Sequence, residues 1–290
     1  MNRREFLTTI ATAAVAQEAA ASTPFRFVHM TDLHIQPELR ADEGCRACIH
    51  RINGLTADFV ICGRDLVFDA AEVPLPRAKR VYDLYQETVK PLAMPVHHVI
   101  GNHDVFGVAA ASGTAPSDPL YGKRMFEDRI GKRHYAFVHK GWHFFFVDSI
   151  FLKEHSFVGR VDDEQLTWLK AELATVPANH PHVIVTHVPL VTAFPQYASS
   201  PAPAETLHVV NAREVLELFE SRNLKAVLQG HTHVCENVLY KGCQFITSGA
   251  VSGNWWRGAR FGHPEGFGLI TIRGDELGWE YQTYGFRASP

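Results

Sequence analysis

"KAVLQGHTHV", residues 225–234, runs from an apolar stretch through one glycine into two histidines a single residue apart. The apolar part has the length of a strand buried on both faces, and it stops abruptly in polar residues. The same pattern recurs along the chain. "FRFVHM" ends in Thr31-Asp32-Leu33-His34, "ADFVIC" in Gly63-Arg64-Asp65, and "VHHVI" in Gly101-Asn102-His103-Asp104. "WHFFFV" ends in Asp148-Ser149, "HVIVT" in His187, and "CQFITS" in Gly249-Ala250.

Helical periodicity lies between several of these runs. Cys45, Cys48, Ile49, Ile52 and Leu55 share one helix face, which makes the two cysteines small core residues. Residues 77–90 place Val81, Leu84, Tyr85 and Thr88 on one side. Residues 162–173 open with acids that suit a helix N-terminus and bury Leu166, Leu169 and Leu173. Residues 211–220 start at Asn211 with Glu214 three residues later, a capping-box pattern. Strands alternating with helices imply an α/β fold with a mixed or parallel sheet. Residues 107–119 and 192–206, rich in small residues and proline, read as loops on the side where the polar strand ends gather. The tail "FGLITIRGDELGWEYQTYG" reads as a β-hairpin turning at Gly274-Asp275.

A chain of 290 residues can form one α/β core. A net charge of −3 gives no electrostatic footprint for nucleic acid. No stretch reaches the ~18 uninterrupted apolar residues of a spanning helix. The five cysteines are odd in number and cannot all pair. Residues 1–22 stand apart: Arg3-Arg4, then Phe6-Leu7, a weakly apolar run and small residues at Ala19 and Ala21. This resembles a bacterial twin-arginine export signal, which implies the export machinery as a partner and a periplasmic or secreted protein. Residues 23–290 are then the mature domain.

In open α/β sheets, ligands gather outside the carboxyl ends of the strands. The residues expected there are Asp32, His34, Asp65, Asn102, His103, His187, His231 and His233. Crowding so many polar groups is costly unless something binds them. Imidazole nitrogens mixed with carboxylate and amide oxygens suit two divalent ions of the Mn, Fe, Zn or Co kind better than Ca or Mg. Two such ions outweigh the charges of Asp32 and Asp65, so the centre stays cationic and suits a small phosphorylated substrate.

The motifs D-L-H, G-R-D, G-N-H-D, H-V-P and G-H-T-H stand in the order seen in the calcineurin-like metallophosphoesterases, and from about residue 26 to 250 the chain resembles that family. The resemblance implies a two-sheet β-sandwich flanked by helices, with a binuclear metal centre. It implies that Asp32, His34 and His233 hold one ion, that Asn102, His187 and His231 hold the other, and that Asp65 bridges both. It implies hydrolysis of phosphoric esters, diester or monoester, by in-line attack of a hydroxide bridging the ions. It implies catalytic roles for His103 and Asp104: His103 would steady the transition state or protonate the leaving group, and Asp104 or a neighbour would orient it. Asn102, His103 and Trp255 would face the substrate, while Trp255 and Trp256 would cover the site or stack on a base, or else pack a loop against the sandwich. The purple acid phosphatases, a related group, carry Tyr three residues after the bridging Asp; Phe68 stands there and argues against a tyrosinate-bound ferric ion. One departure from the family is Arg64, where glycine is usual before the bridging Asp. It motivates an alternative expectation: a weakened or inactive protein that binds phosphorylated ligands without turnover.

Overall fold

The structure is a computed structural model describing residues 23–63, 65–198 and 204–288. The export-type segment 1–22 and Arg64 lie outside the described residues.

The first half contains strands Phe25–Thr31 (β1), Phe59–Gly63 (β2), Val96–Val99 (β3), Tyr135–His139 (β4) and Trp142–Phe146 (β5). Its helices are Ala41–Asn53 (α1), Leu75–Val89 (α2) and Arg124–Arg129 (α3). The second half has strands Ile150–Lys153 (β6), Ser156–Gly159 (β7), Pro181–Val185 (β8), Asn223–Gln229 (β9), Cys235–Tyr240 (β10) and Cys243–Ser248 (β11). The terminal hairpin is Gly266–Arg273 (β12) with Glu276–Thr283 (β13). The remaining helices are Asp163–Thr175 (α4), Phe194–Tyr197 (α5), Ala204–Leu207 (α6) and Ala212–Glu217 (α7).

Two mixed sheets stack. One has the order β13-β12-β1-β2-β3 and the other β10-β11-β9-β8-β5-β4. Strand periodicity sorts the side chains between layers. Phe25, Phe27, Phe59 and Ile61 meet Trp142, Phe144, Phe146, Val183, Val185, Ala226 and Leu228 in one buried cluster between the sheets. The alternate positions Val28, Met30, Val60 and Cys62 belong to a second cluster with Cys45, Cys48, Ile49 and Ile52 of α1 and Val81, Tyr82 and Tyr85 of α2. On the other sheet, Phe145, Ile184 and Val227 share that cluster with Leu169 and Leu173 of α4 and Val215 of α7. This is the expected sandwich with helices on both outer faces.

The helices fall where periodicity places them, and all five cysteines are free thiols. The start of α7 differs in its chemistry. Asn211 makes no side-chain cap. Its amide instead pairs with the Val161 backbone, accepting from Val161 N at 3.1 Å and donating to Val161 O at 2.9 Å. The capping-box expectation fails because that backbone segment, remote in sequence, claims the side chain first. Residues 192–206 carry two one-turn helices as well as loop, and 199–203 lie outside the described residues. Among the described residues no helix is long and apolar enough to cross a membrane.

Candidate metal centre

The parallel strands of both sheets end on the same rim. Asp32 and His34 follow β1, Asp65 follows β2, and Asn102 and His103 sit on a short 3-10 turn after β3. His187 follows β8, and His231 and His233 follow β9. Asp32, His34, Asp65, His187 and His233 are essentially without solvent contact, whereas Asn102, His103 and His231 line the opening.

The backbone here is strained. Asp32, His34, Asp65, His231 and His233 all have positive φ, between 43° and 73°. Few side-chain-bearing residues adopt this region, and each costs roughly 1–2 kcal/mol. Five at one rim imply a surrounding structure that over-determines them, as at functional sites. The bonds that do so are visible. His34 N donates to Asp65 O at 2.8 Å, and His231 N donates to both Asp32 carboxylate oxygens at 3.1 and 3.2 Å. His103 N donates to Asp65 Oδ1 at 2.8 Å. Asp104 binds Leu66 N at 2.7 Å and Gly101 N at 2.9 Å, which braces the Asp65 loop. Gly101 lets that loop approach: a Cβ there would stand 2.3 Å from both Asp65 N and Asp65 Oδ1.

The side chains divide into two groups that share Asp65. In the first, His34 Nε2 lies 3.0 Å from His233 Nε2 and 3.5 Å from Asp65 Oδ2, while His233 Nε2 lies 3.4 Å from Asp32 Oδ1. In the second, His187 Nε2 lies 3.3 Å from Asp65 Oδ2, 2.8 Å from Asn102 Oδ1 and 3.1 Å from His231 Nδ1. His233 Nδ1 donates to Gly253 O at 2.6 Å, so its Nε2 carries the lone pair that points inward.

Electrostatics favours a cation at this convergence. Burial holds His34 well below the ordinary imidazole range and takes His231 down to about 3. Burial raises Asp32 and Asp65, but the imidazoles of His233 and His187 respectively outweigh it and hold both carboxyls low. Ionised carboxylates and the neutral imidazoles of His34 and His231 therefore share this rim, and its mixed nitrogen and oxygen donor set fits a pair of divalent ions.

His103 behaves differently. Burial alone would lower it, but Asp65 and then Asp69 raise it to about 9. Its Nδ1 lies 3.5 Å from Asp69 Oδ1. Asp69, rather than Asp104, is therefore the acid beside His103. Asp104 is not free to orient it, because its carboxylate is spent on backbone amides. Sequence reasoning left that neighbour unspecified, since only the turn after Phe68 brings Asp69 to the histidine.

Aromatic rings wall the site. Phe68 stacks near His103 at 6.2 Å, Phe157 meets His231 at 6.0 Å, and Trp255 lies 4.5 Å from the His233 ring. The two tryptophans have separate tasks. Trp256 is fully buried and donates to Leu33 O and His34 O at 2.9 and 3.0 Å, while Trp255 stays partly exposed beside the opening. Phe157, on the β6–β7 hairpin, has no signal in the sequence. A separate cavity of about 730 Å³ beside α7 and β11 includes none of these residues.

The sequence matches the model of the calcineurin-like phosphoesterases over residues 25–235. No curated protein sequence matches the chain. Among solved structures, a dimetal phosphatase from Danio rerio aligns with TM-score 0.59 and 16% identity, covering 90% of this chain and 99% of its own. GAP50, described as the anchor in the inner membrane complex of Plasmodium, aligns with TM-score 0.55 and 16% identity, covering 90% and 85%. A Thermus thermophilus protein aligns with TM-score 0.51 and 12% identity, covering 89% and 99%. At these identities the likeness is one of fold.

Proposed function

The chain belongs to the calcineurin-like phosphoesterases, and from that premise we propose that it hydrolyses phosphoric esters at a pair of divalent ions. Asp32, His34 and His233 would hold one ion and Asn102, His187 and His231 the other, with Asp65 within reach of both. The observation that carries this reading is that His34 of one donor cluster and His187 of the other both face the single carboxylate of Asp65, at 3.5 and 3.3 Å. When bound, the ion pair supplies an acidified water and positive charge for the phosphoryl oxygens.

The chain's own residues supply the rest. Asn102 stands at the opening, where it would also orient the phosphoryl group. His103 lies with its Nδ1 3.5 Å from Asp69 Oδ1, a carboxylate that favours its protonated form, so it is the group placed to give the leaving oxygen its proton. Phe68 and Trp255 flank His34 and shield it from water. The test is hydrolysis of a generic phosphodiester and a phosphomonoester by metal-stripped protein. Turnover should be absent and should return with Mn²⁺; full turnover without metal would sink the reading.

The weakened or inactive alternative rests on Arg64 and gains a motive from GAP50, a protein of this fold described as an anchor. Against it, Asp65 is fixed by its own bonds from His34 N and His103 N. Arg64→Gly separates the two: a large gain in turnover supports the weakened reading, and little change supports the enzyme as it stands. We also propose export by the twin-arginine route on the strength of Arg3-Arg4 and the run that follows. Replacing both with Lys should retain the protein in the cytoplasm, and unchanged location would refute it.

A further inference from the structure

Two anchored arms reach the mouth of the centre, and each carries a ring left at least half exposed. The first is residues 192–198. Thr192 Oγ1 donates to Glu236 Oε2 at 2.7 Å, Ala193 N donates to Glu236 Oε1 at 2.6 Å, and Phe194 and Ala198 bury against Val234, the residue after His233. The arm is held, yet Tyr197 is 66% exposed. The second is residues 250–265. Ser252 Oγ donates to Asp32 O at 2.8 Å, and Trp256 and Gly253 tie the arm to the His34 and His233 loops. This arm is held too, yet Phe261 is 51% exposed and sits at a φ of 48°. The Tyr197 and Phe261 rings lie 5.9 Å apart. Leaving two fixed aromatic rings in water forfeits apolar burial that folding ordinarily captures.

Arg260 joins these rings to the centre. Its guanidinium lies 5.0 Å from the Phe261 ring and 4.7 Å from the Trp255 ring, which itself lies 4.5 Å from His233. Nε donates to Thr232 O at 3.1 Å, between the two histidines of the G-H-T-H turn, and Nη1 donates to Asn254 Oδ1 at 3.3 Å. Bracing that turn accounts for these two nitrogens. It does not account for Nη2, which makes no hydrogen bond among the described residues, nor for the bare rings beyond.

We propose that Arg260, Phe261 and Tyr197 form the subsite for the part of the substrate beyond the reacting phosphorus, and that the substrate is a nucleotide ester. The inference rests on the phosphoesterase reading and names its substrate class. The chemistry is specific in its parts. A planar cation with a free N–H suits a phosphate or sugar oxygen, and an exposed ring face suits a nucleobase, since every base has a π-face to stack. Trp255 then acts as the support that carries Arg260, because its ring is already engaged by His233, His34 and Arg260.

The test is calorimetric binding of AMP and of ribose 5-phosphate, the same phosphate ester without the base, to Mn²⁺-loaded protein. AMP should bind about tenfold tighter or better, the worth of one stacked base. In Phe261→Ala and in Tyr197→Ala the ratio of the two affinities should fall toward one. Arg260→Gln should weaken both ligands together. Both rings are exposed, so the fold should survive their loss, and a thermal melt checks this. Equal affinity for the two ligands in the unaltered protein, or an unchanged ratio in both ring variants, overturns the subsite. The two readings fail separately: phosphoester hydrolysis without base preference removes only the subsite, and base-dependent binding without any hydrolysis removes only the enzyme.

Discussion

Buried and half-buried histidines occur both at the carboxyl rim and within the sheets, and the two sets meet opposite fates. At the carboxyl rim, His34, His187 and His233 face carboxylate oxygens at 3.3–3.5 Å, and two of the three sit in left-handed backbone. Lower in the second sheet, His182 of β8 is equally buried but stacks flat on Phe145 at 5.6 Å and beside His143 at 5.7 Å. Neither of its ring nitrogens has a side-chain acid or other hydrogen-bond partner among the described residues. In the first sheet, His97 stacks on Phe137 at 3.9 Å, and His98 bonds the Tyr85 hydroxyl at 2.8 Å. Neither burial nor the imidazole itself therefore marks a candidate metal ligand. Convergence with carboxylates on a strained rim does.

The comparison breaks first at Asp65. Asp65→Asn should cost more than the roughly 10²-fold that losing a group behind the ligands costs, because both clusters share this carboxylate. Metal content and kcat/KM measured together check it, and a variant with unimpaired metal binding would contradict the shared role. Next is His103→Ala, expected to keep its metal and lose about 10²–10⁴ in rate. Loss of metal in that variant would place His103 among the ligands.

Gly101→Ala comes third. Its new Cβ would press on the Asp65 backbone and carboxylate, so thermal stability should fall by about 1–3 kcal/mol together with activity. A variant as stable and active as the parent would show that the loop is looser than its contacts imply.

The smallest effect sharpens the other side of the comparison. His182→Phe replaces a ring whose nitrogens bond nothing, so activity should hold and stability at neutral pH should hold or rise. Burial lowers His182 to about 4 from the ordinary value near 6.5. The unfolded chain therefore takes up this proton first, and stability is lost as pH falls through that window. The Phe variant should lose less stability between pH 6.5 and 4 than the parent, as urea unfolding at several pH values would show. Equal loss in both would mean that His182 is not part of the acid sensitivity.

The layers were legible because strand alternation and helix periodicity are local: Phe25 and Phe27 face one way and Val28 and Met30 the other, as a period of two requires. That these eight residues would gather at one rim was legible for a related reason, since they lie just after apolar runs. What escaped notice depends on contacts between distant segments. Asn211 pairs with Val161 rather than capping its helix, and Phe157 reaches His231 only through the hairpin's placement. Arg260 reaches the G-H-T-H turn across 28 residues. No periodicity announces such pairings.

The most direct measurement is the number of divalent ions per chain in the unaltered protein and in two variants of equally buried histidines, His187→Ala and His182→Phe. The account predicts two ions in the unaltered protein, two in His182→Phe with activity kept, and fewer than two in His187→Ala with activity lost. Two ions and full turnover in His187→Ala would contradict it.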